Sequence, residues 1–104
     1  MTLGEKQRLF VRLIGKLIEW TYAQGYELTF GESFDDDNIG HMRNSLHYVR
    51  LAQDLNLFKD GKWLQKSEDH GPLGAYWKTL NPLCRWGGDW NDGNHYSLAH
   101  EGRS

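Results

Sequence analysis

The sequence predicts an α+β domain built on a small antiparallel sheet, and three observations carry that prediction. Apolar residues recur at helical spacing near the start, alternate with polar ones at later points, and are interrupted by glycine- and asparagine-rich turns. An amphipathic N-terminal helix and a second, shorter helix are expected to accompany the sheet. The 104 residues are read as one domain, 1–104.

The first helix is expected from about Glu5 to Gln24. Phe10, Leu13, Ile14, Leu17, Ile18 and Tyr22 form its apolar stripe, with Lys6, Arg12, Lys16 and Glu19 spaced among them. Gly25 is a natural stop. Tyr26 to Phe30 alternates large apolar and polar residues and reads as a strand. The polar stretch from Gly31 to Asn44 reads as a solvated loop. It contains Asp35, Asp36 and Asp37, but lacks the alternating ligands, central glycine and terminal glutamate of a calcium-binding EF-hand. His41 falls in the same loop.

Leu51 to Phe58 is a second strand, ending at the Lys59-Asp60-Gly61 turn, and Lys62 to Leu64 is a third. The polar run Ser67 to His70 caps a helix from about Leu73 to Leu80, with Leu73, Tyr76, Trp77 and Leu80 on one face. Asn81-Pro82 ends it. A glycine-rich turn follows, and then a short strand starting near His95.

Composition narrows the function. A formal net charge of −2 argues against a nucleic-acid binder, which presents a basic face. Cys84 is the sole cysteine, so no intramolecular disulfide forms and multi-cysteine zinc sites are excluded. Its expected role is that of a small buried hydrophobe. Any zinc must rest on histidine and carboxylate. The opening MTLGEKQRLFVRLIGKLIEW is broken by charges every few residues, unlike a signal peptide or membrane span. A chain that is cytoplasmic when synthesised and monomeric is expected.

Metal-capable residues concentrate in two places, His47 with Asp54 and Asp92 with His95. Histidine nitrogen and carboxylate oxygen both suit zinc, and catalytic zinc sites use three protein ligands. Scattered His and Asp are common, so composition does not choose among them. Order and spacing are more specific. SLHYVRLAQD, from Ser45 to Asp54, resembles the SxHxxGxAxD signature of the zinc D-Ala-D-Ala carboxypeptidase and L-alanyl-D-glutamate endopeptidase family, phage endolysins in particular. WGGDW at Trp86 to Trp90, followed by Asp92-Gly-Asn-His95, resembles the second signature, and LGAYWKTLNP resembles the segment between them.

The resemblance implies a zinc site in a cleft on the sheet, with His47, Asp54 and His95 as ligands and Asp92 as catalytic acid/base. An Asx-type turn is the competing role for Asp92, given the Asn-Asp-Gly-Asn run around it. The position of the family's glycine is held by Arg50, and GESFDDD lacks the arginine that the family uses to steady its substrate. Arg43 and Arg50 are candidate replacements, each also readable as a surface charge. Ser45 is placed on the substrate side, bending the chain before His47 rather than acting as a nucleophile. Trp86 and Trp90 either line a substrate groove or pack in the core. His70 and His100 have the weakest claims on the site.

The function expected is zinc-dependent hydrolysis of peptidoglycan stem peptides, of the L-alanyl-D-glutamate endopeptidase type found in phage lysis enzymes, acting on the wall after release. The alternatives are a D-Ala-D-Ala carboxypeptidase and a non-catalytic zinc-stabilised domain that binds cell wall.

Overall fold

A computed structural model of the chain describes residues 1–31, 46 and 49–104. Helix α1 spans Leu3–Ala23, two residues earlier than its apolar stripe predicts. The reason is a capping box: the Glu5 amide donates to Thr2 Oγ1 at 3.1 Å, and the Thr2 amide donates to Glu5 Oε1 at 2.7 Å. Phe10, Leu13, Ile14, Leu17 and Thr21 are its buried face. Thr21, not Tyr22, closes the stripe. The Thr21 hydroxyl turns back to the Leu17 carbonyl at 2.7 Å, which lets a polar residue sit fully buried. Tyr22 is half-exposed and instead anchors the following strand, its hydroxyl bonding the backbone of Leu28. Gly25, at a φ of 91°, reverses the chain after the helix.

The sheet is antiparallel, with strands β1 (Glu27–Phe30), β2 (Ala52–Lys59), β3 (Lys62–Leu64), β4 (Cys84–Trp86) and β5 (His95–Leu98). Its path runs β1-β2-β5-β4, with β3 also pairing with β2. β2 is the axis. One edge takes β1, from Phe58 opposite Glu27 to Leu55 opposite Phe30. The other edge is shared, with β3 alongside Leu57 to Lys59 and β5 alongside Ala52 to Asp54.

β4 is absent from the sequence prediction. Three residues with Arg85 in the middle are too short to display a period of two, and pairing with β5 makes the strand. Helix α2 (Gly71–Leu80) begins at a 3₁₀ turn over Ser67–His70, and a second such turn covers Gly87–Trp90. Among the described residues, no helix is long and apolar enough to cross a membrane.

One face of the sheet packs on the helices. Leu55, Leu57, Tyr96 and Leu98 point that way and are at most 1% exposed. Trp77 of α2 joins the layers. Its ring meets Phe10 edge-on at 5.9 Å and Tyr96 at 6.1 Å, and its indole N–H donates to the Arg85 carbonyl at 2.8 Å. Cys84 is buried, as its composition suggests, and burial pushes its thiol up to about 11. It is therefore held as the unreactive thiol.

His70 is a core histidine. It is 2% exposed, with Nδ1 at 2.7 Å from the Tyr96 hydroxyl. Burial pushes its imidazole down from 6.5 to about 4. The folded state therefore holds the neutral ring, so this stability is complete above about pH 6.5 and is lost as pH falls toward 4. The effect is on the order of 3 kcal/mol. Urea unfolding across that window is expected to show this loss in the wild-type chain. His70→Asn should be less stable at neutral pH and should lack this component of acid sensitivity.

Candidate metal centre

The face of the sheet turned away from the helices carries the chemistry-bearing residues. Asp54 on β2 stands directly opposite His95 on β5. The backbone bonds Leu98 N–H to Leu51 O and Leu55 N–H to Asn94 O, both 2.9 Å, lie on either side of this pair. Antiparallel ladders alternate, so Asp54 and His95 form a non-hydrogen-bonded pair, the type whose side chains approach more closely. The result is 3.6 Å between His95 Nδ1 and Asp54 Oδ1, with the side chains 10% and 25% exposed respectively. They are side by side and largely buried.

This donor set fits zinc. A nitrogen and an oxygen bound to one tetrahedral ion at ~2.0–2.2 Å stand roughly 3.4 Å apart, within a few tenths of the observed separation. Among the described residues, no group of three or more His, Cys, Asp or Glu gathers as a metal site. His47, Ser45 and Arg43 lie outside the described residues, as do Asp35, Asp36, Asp37 and His41. Asp54 and His95 are thus the expected ligands that the structure brings together.

Space beside Asp54 is kept by a glycine that the sequence reading did not single out. Gly31 continues β1 past Phe30, and its amide donates to the Asp54 carbonyl at 2.8 Å. A Cβ there would stand 3.0 Å from the Asp54 Cβ. On the other side, Trp90 meets the His95 ring edge-on at 5.6 Å while remaining 46% exposed. It thus stands beside the metal-capable pair and outside the buried core, whereas Trp86 packs against the core.

The three-residue offset between Asp92 and His95 is a hydrogen-bonded turn. The His95 amide donates to the Asp92 carbonyl at 3.1 Å, and the Asp92 amide donates to the Gly87 carbonyl at 2.8 Å. The Asp92 residue is exposed. Glycines permit this arrangement through space rather than through unusual dihedrals. A Cβ on Gly87 would lie 2.0 Å from the Asp92 carbonyl oxygen, and one on Gly93 would lie 2.4 Å from Ser67 Cα. Gly93 is tied down further by its amide, which donates to Ser67 Oγ at 2.9 Å.

Arg50 is exposed and has a φ of 57°. A left-handed backbone is the natural place for glycine, which accounts for the glycine in the family signature; a residue with a Cβ costs about 1–2 kcal/mol there. His100 stands apart from the pair, with Nδ1 at 3.0 Å from Lys6 Nζ on α1.

Residues 39–98 match a peptidase family model described as D-alanyl-D-alanine carboxypeptidase, a stretch covering more than half of the chain. No curated protein matches it.

The glycine geometry separates two kinds of substitution. Gly87→Ala and Gly93→Ala meet backbone atoms that cannot move aside, and each is expected to cost about 1–3 kcal/mol in urea unfolding. Gly15→Ala, in α1 with nothing within 4 Å of the added methyl, should stabilise by about 0.5–1 kcal/mol. Equal effects at all three positions would contradict the close approach described for the turn.

Proposed function

Because the chain belongs to the peptidase family described as D-alanyl-D-alanine carboxypeptidase, we propose that it is a zinc-dependent hydrolase of peptidoglycan stem peptides. The observation that carries this reading is the Asp54–His95 pair at 3.6 Å on the face of the sheet turned away from the helices. In it, His47, Asp54 and His95 hold the ion in a single domain spanning residues 1–104. The chemistry that zinc supplies when bound is Lewis-acid polarisation of a carbonyl and acidification of water.

Asp92 is the acid/base in this reading. Its carboxylate takes the proton of the attacking water and returns it to the amine that leaves when the C–N bond breaks. The turn from Asp92 to His95 supports the assignment, since it ties the carboxylate's backbone to that of the ligand strand. Trp90 forms a wall for the substrate chain. Arg43, Arg50 and Ser45 remain proposed substrate contacts, and the exposure of Arg50 before β2 is compatible with such a contact.

The finer proposal is cleavage between L-alanine and D-glutamate, as in phage lysis enzymes. Removing a terminal D-alanine calls for a cation on the free carboxylate, and the stretch GESFDDD has none. Digestion of purified peptidoglycan, with mass spectrometry of the products, identifies the bond.

Two outcomes are expected. The purified protein should bind about one zinc per chain, with binding weakened at least tenfold in Asp54→Ala and His95→Ala. A folded wild-type protein that takes up no zinc would remove the reading. Asp92→Asn should retain zinc and fold yet lose cleavage by about 10²–10⁴-fold, the usual contribution of a general acid/base. Undiminished turnover in that variant would mean another group moves the proton.

A further inference from the structure

A pocket of about 220 Å³ opens beside the metal-capable pair, with Asn56, Trp63, Gln65, Ser67, Asp92 and Asn94 in its walls. It adjoins that pair without containing it. Asn56 follows Asp54 by two residues on the same face of β2, and Asn94 immediately precedes His95. The pocket is smaller than the ~300–1,000 Å³ of drug-sized sites, so it suits one ring rather than an extended chain.

Its chemistry is that of a neutral, hydroxyl-rich ligand. Four side-chain amides, those of Asn56, Gln65, Asn91 and Asn94, and the Ser67 hydroxyl line it, and among the described residues its walls contain no Lys or Arg. The only carboxylate, Asp92, would repel an anion and is assigned to proton transfer in the reading above. Trp63 adds an apolar plane. It is 52% exposed and stacked on Phe58 at 6.4 Å, so its indole is held in place while half of it meets solvent. Several amides plus an exposed aromatic ring match a sugar, which carries hydroxyls around its rim and C–H groups on its face.

We propose that this pocket is a subsite for the N-acetylated sugar that bears the stem peptide. The amides of Asn56, Gln65 and Asn94 bond its acetamido and hydroxyl groups, and Trp63 packs on the ring. The inference rests on the peptidase reading and deepens it. A sugar held here brings the peptide bonds nearest the glycan to Asp54 and His95, rather than the distal D-alanine end.

The test compares two substrates with the same scissile bond, a muramyl peptide and the free stem peptide, using the zinc-loaded protein. The wild-type chain should prefer the sugar-bearing substrate by about tenfold or more in kcat/KM, and Trp63→Ala or Asn56→Ala should reduce that preference to about twofold. Independently of turnover, N-acetylglucosamine titrated into the wild-type protein should shift the amide resonances of Gln65, Gly93 and Asn94. Cleavage of both substrates at equal efficiency, with no shifts, overturns the subsite and leaves the peptidase reading intact. Shifts at these amides with neither substrate cleaved support the subsite and overturn the peptidase reading.

Discussion

The register between β2 and β5 is the constraint on which the candidate site depends. Side chains alternate across a sheet, so a slip by one residue would send Asp54 and His95 to opposite faces. The polar pair does not set that register. It is set on the other face, where Leu55, Leu57, Tyr96 and Leu98 are buried against the helices, and by the ladder bonds from Leu98 to Leu51 and from Leu55 to Asn94. The hydrophobic effect thus positions two metal-capable groups.

The second signature is dominated by packing. Trp86 lies where a Cβ on Gly74 would come within 2.2 Å of its ring and one on Gly88 within 2.1 Å, so α2 and the following turn both close onto the indole. Its N–H donates to the Gly93 carbonyl at 2.7 Å, inside the Asp92–His95 turn. Gly87 and Gly93 complete the enclosure by admitting the carbonyl of Asp92 and the backbone of Ser67. The glycines and Trp86 hold the frame in which Asp92 precedes His95 by one hydrogen-bonded turn. The same economy holds at Arg50, whose left-handed backbone redirects the chain into β2. A glycine adopts that conformation without strain, whereas the arginine keeps it at some cost in stability.

The two sides of β5 divide the molecule's polarity. Tyr96 points into the core, where its hydroxyl meets a neutral His70, and burial pushes the phenol far above its ordinary range. His95, its neighbour, points to the opposite face beside Asp54 and Trp90. Adjacent residues of one buried strand therefore face an apolar core on one side and a polar pair on the other. The two buried histidines differ in role for that reason: His70 meets a buried hydroxyl, and His95 stands beside a carboxylate on the opposite face.

Local pattern was enough to reveal most of the architecture. Helical spacing from Phe10 to Leu17, alternation in the first two strands, the Lys59-Asp60-Gly61 turn before the third and the Asn81-Pro82 stop each act within a few residues, and all describe the folded chain. The ordered signatures around Asp54 and His95 likewise marked the family, because spacing within a motif is local information. What sequence pattern missed is non-local. β4 exists through pairing with β5, Thr21 displaces Tyr22 from the buried face through a bond to Leu17, and Gly31 matters only beside Asp54. Asp54 and His95 are 41 positions apart along the chain, and no periodicity links them. The sequence by itself determined which residue types were on offer and, to within about two residues, where both helices and all strands but β4 lie. Only the tertiary structure decided which of them meet, because cross-strand register and close backbone contacts form when distant segments bury a shared core.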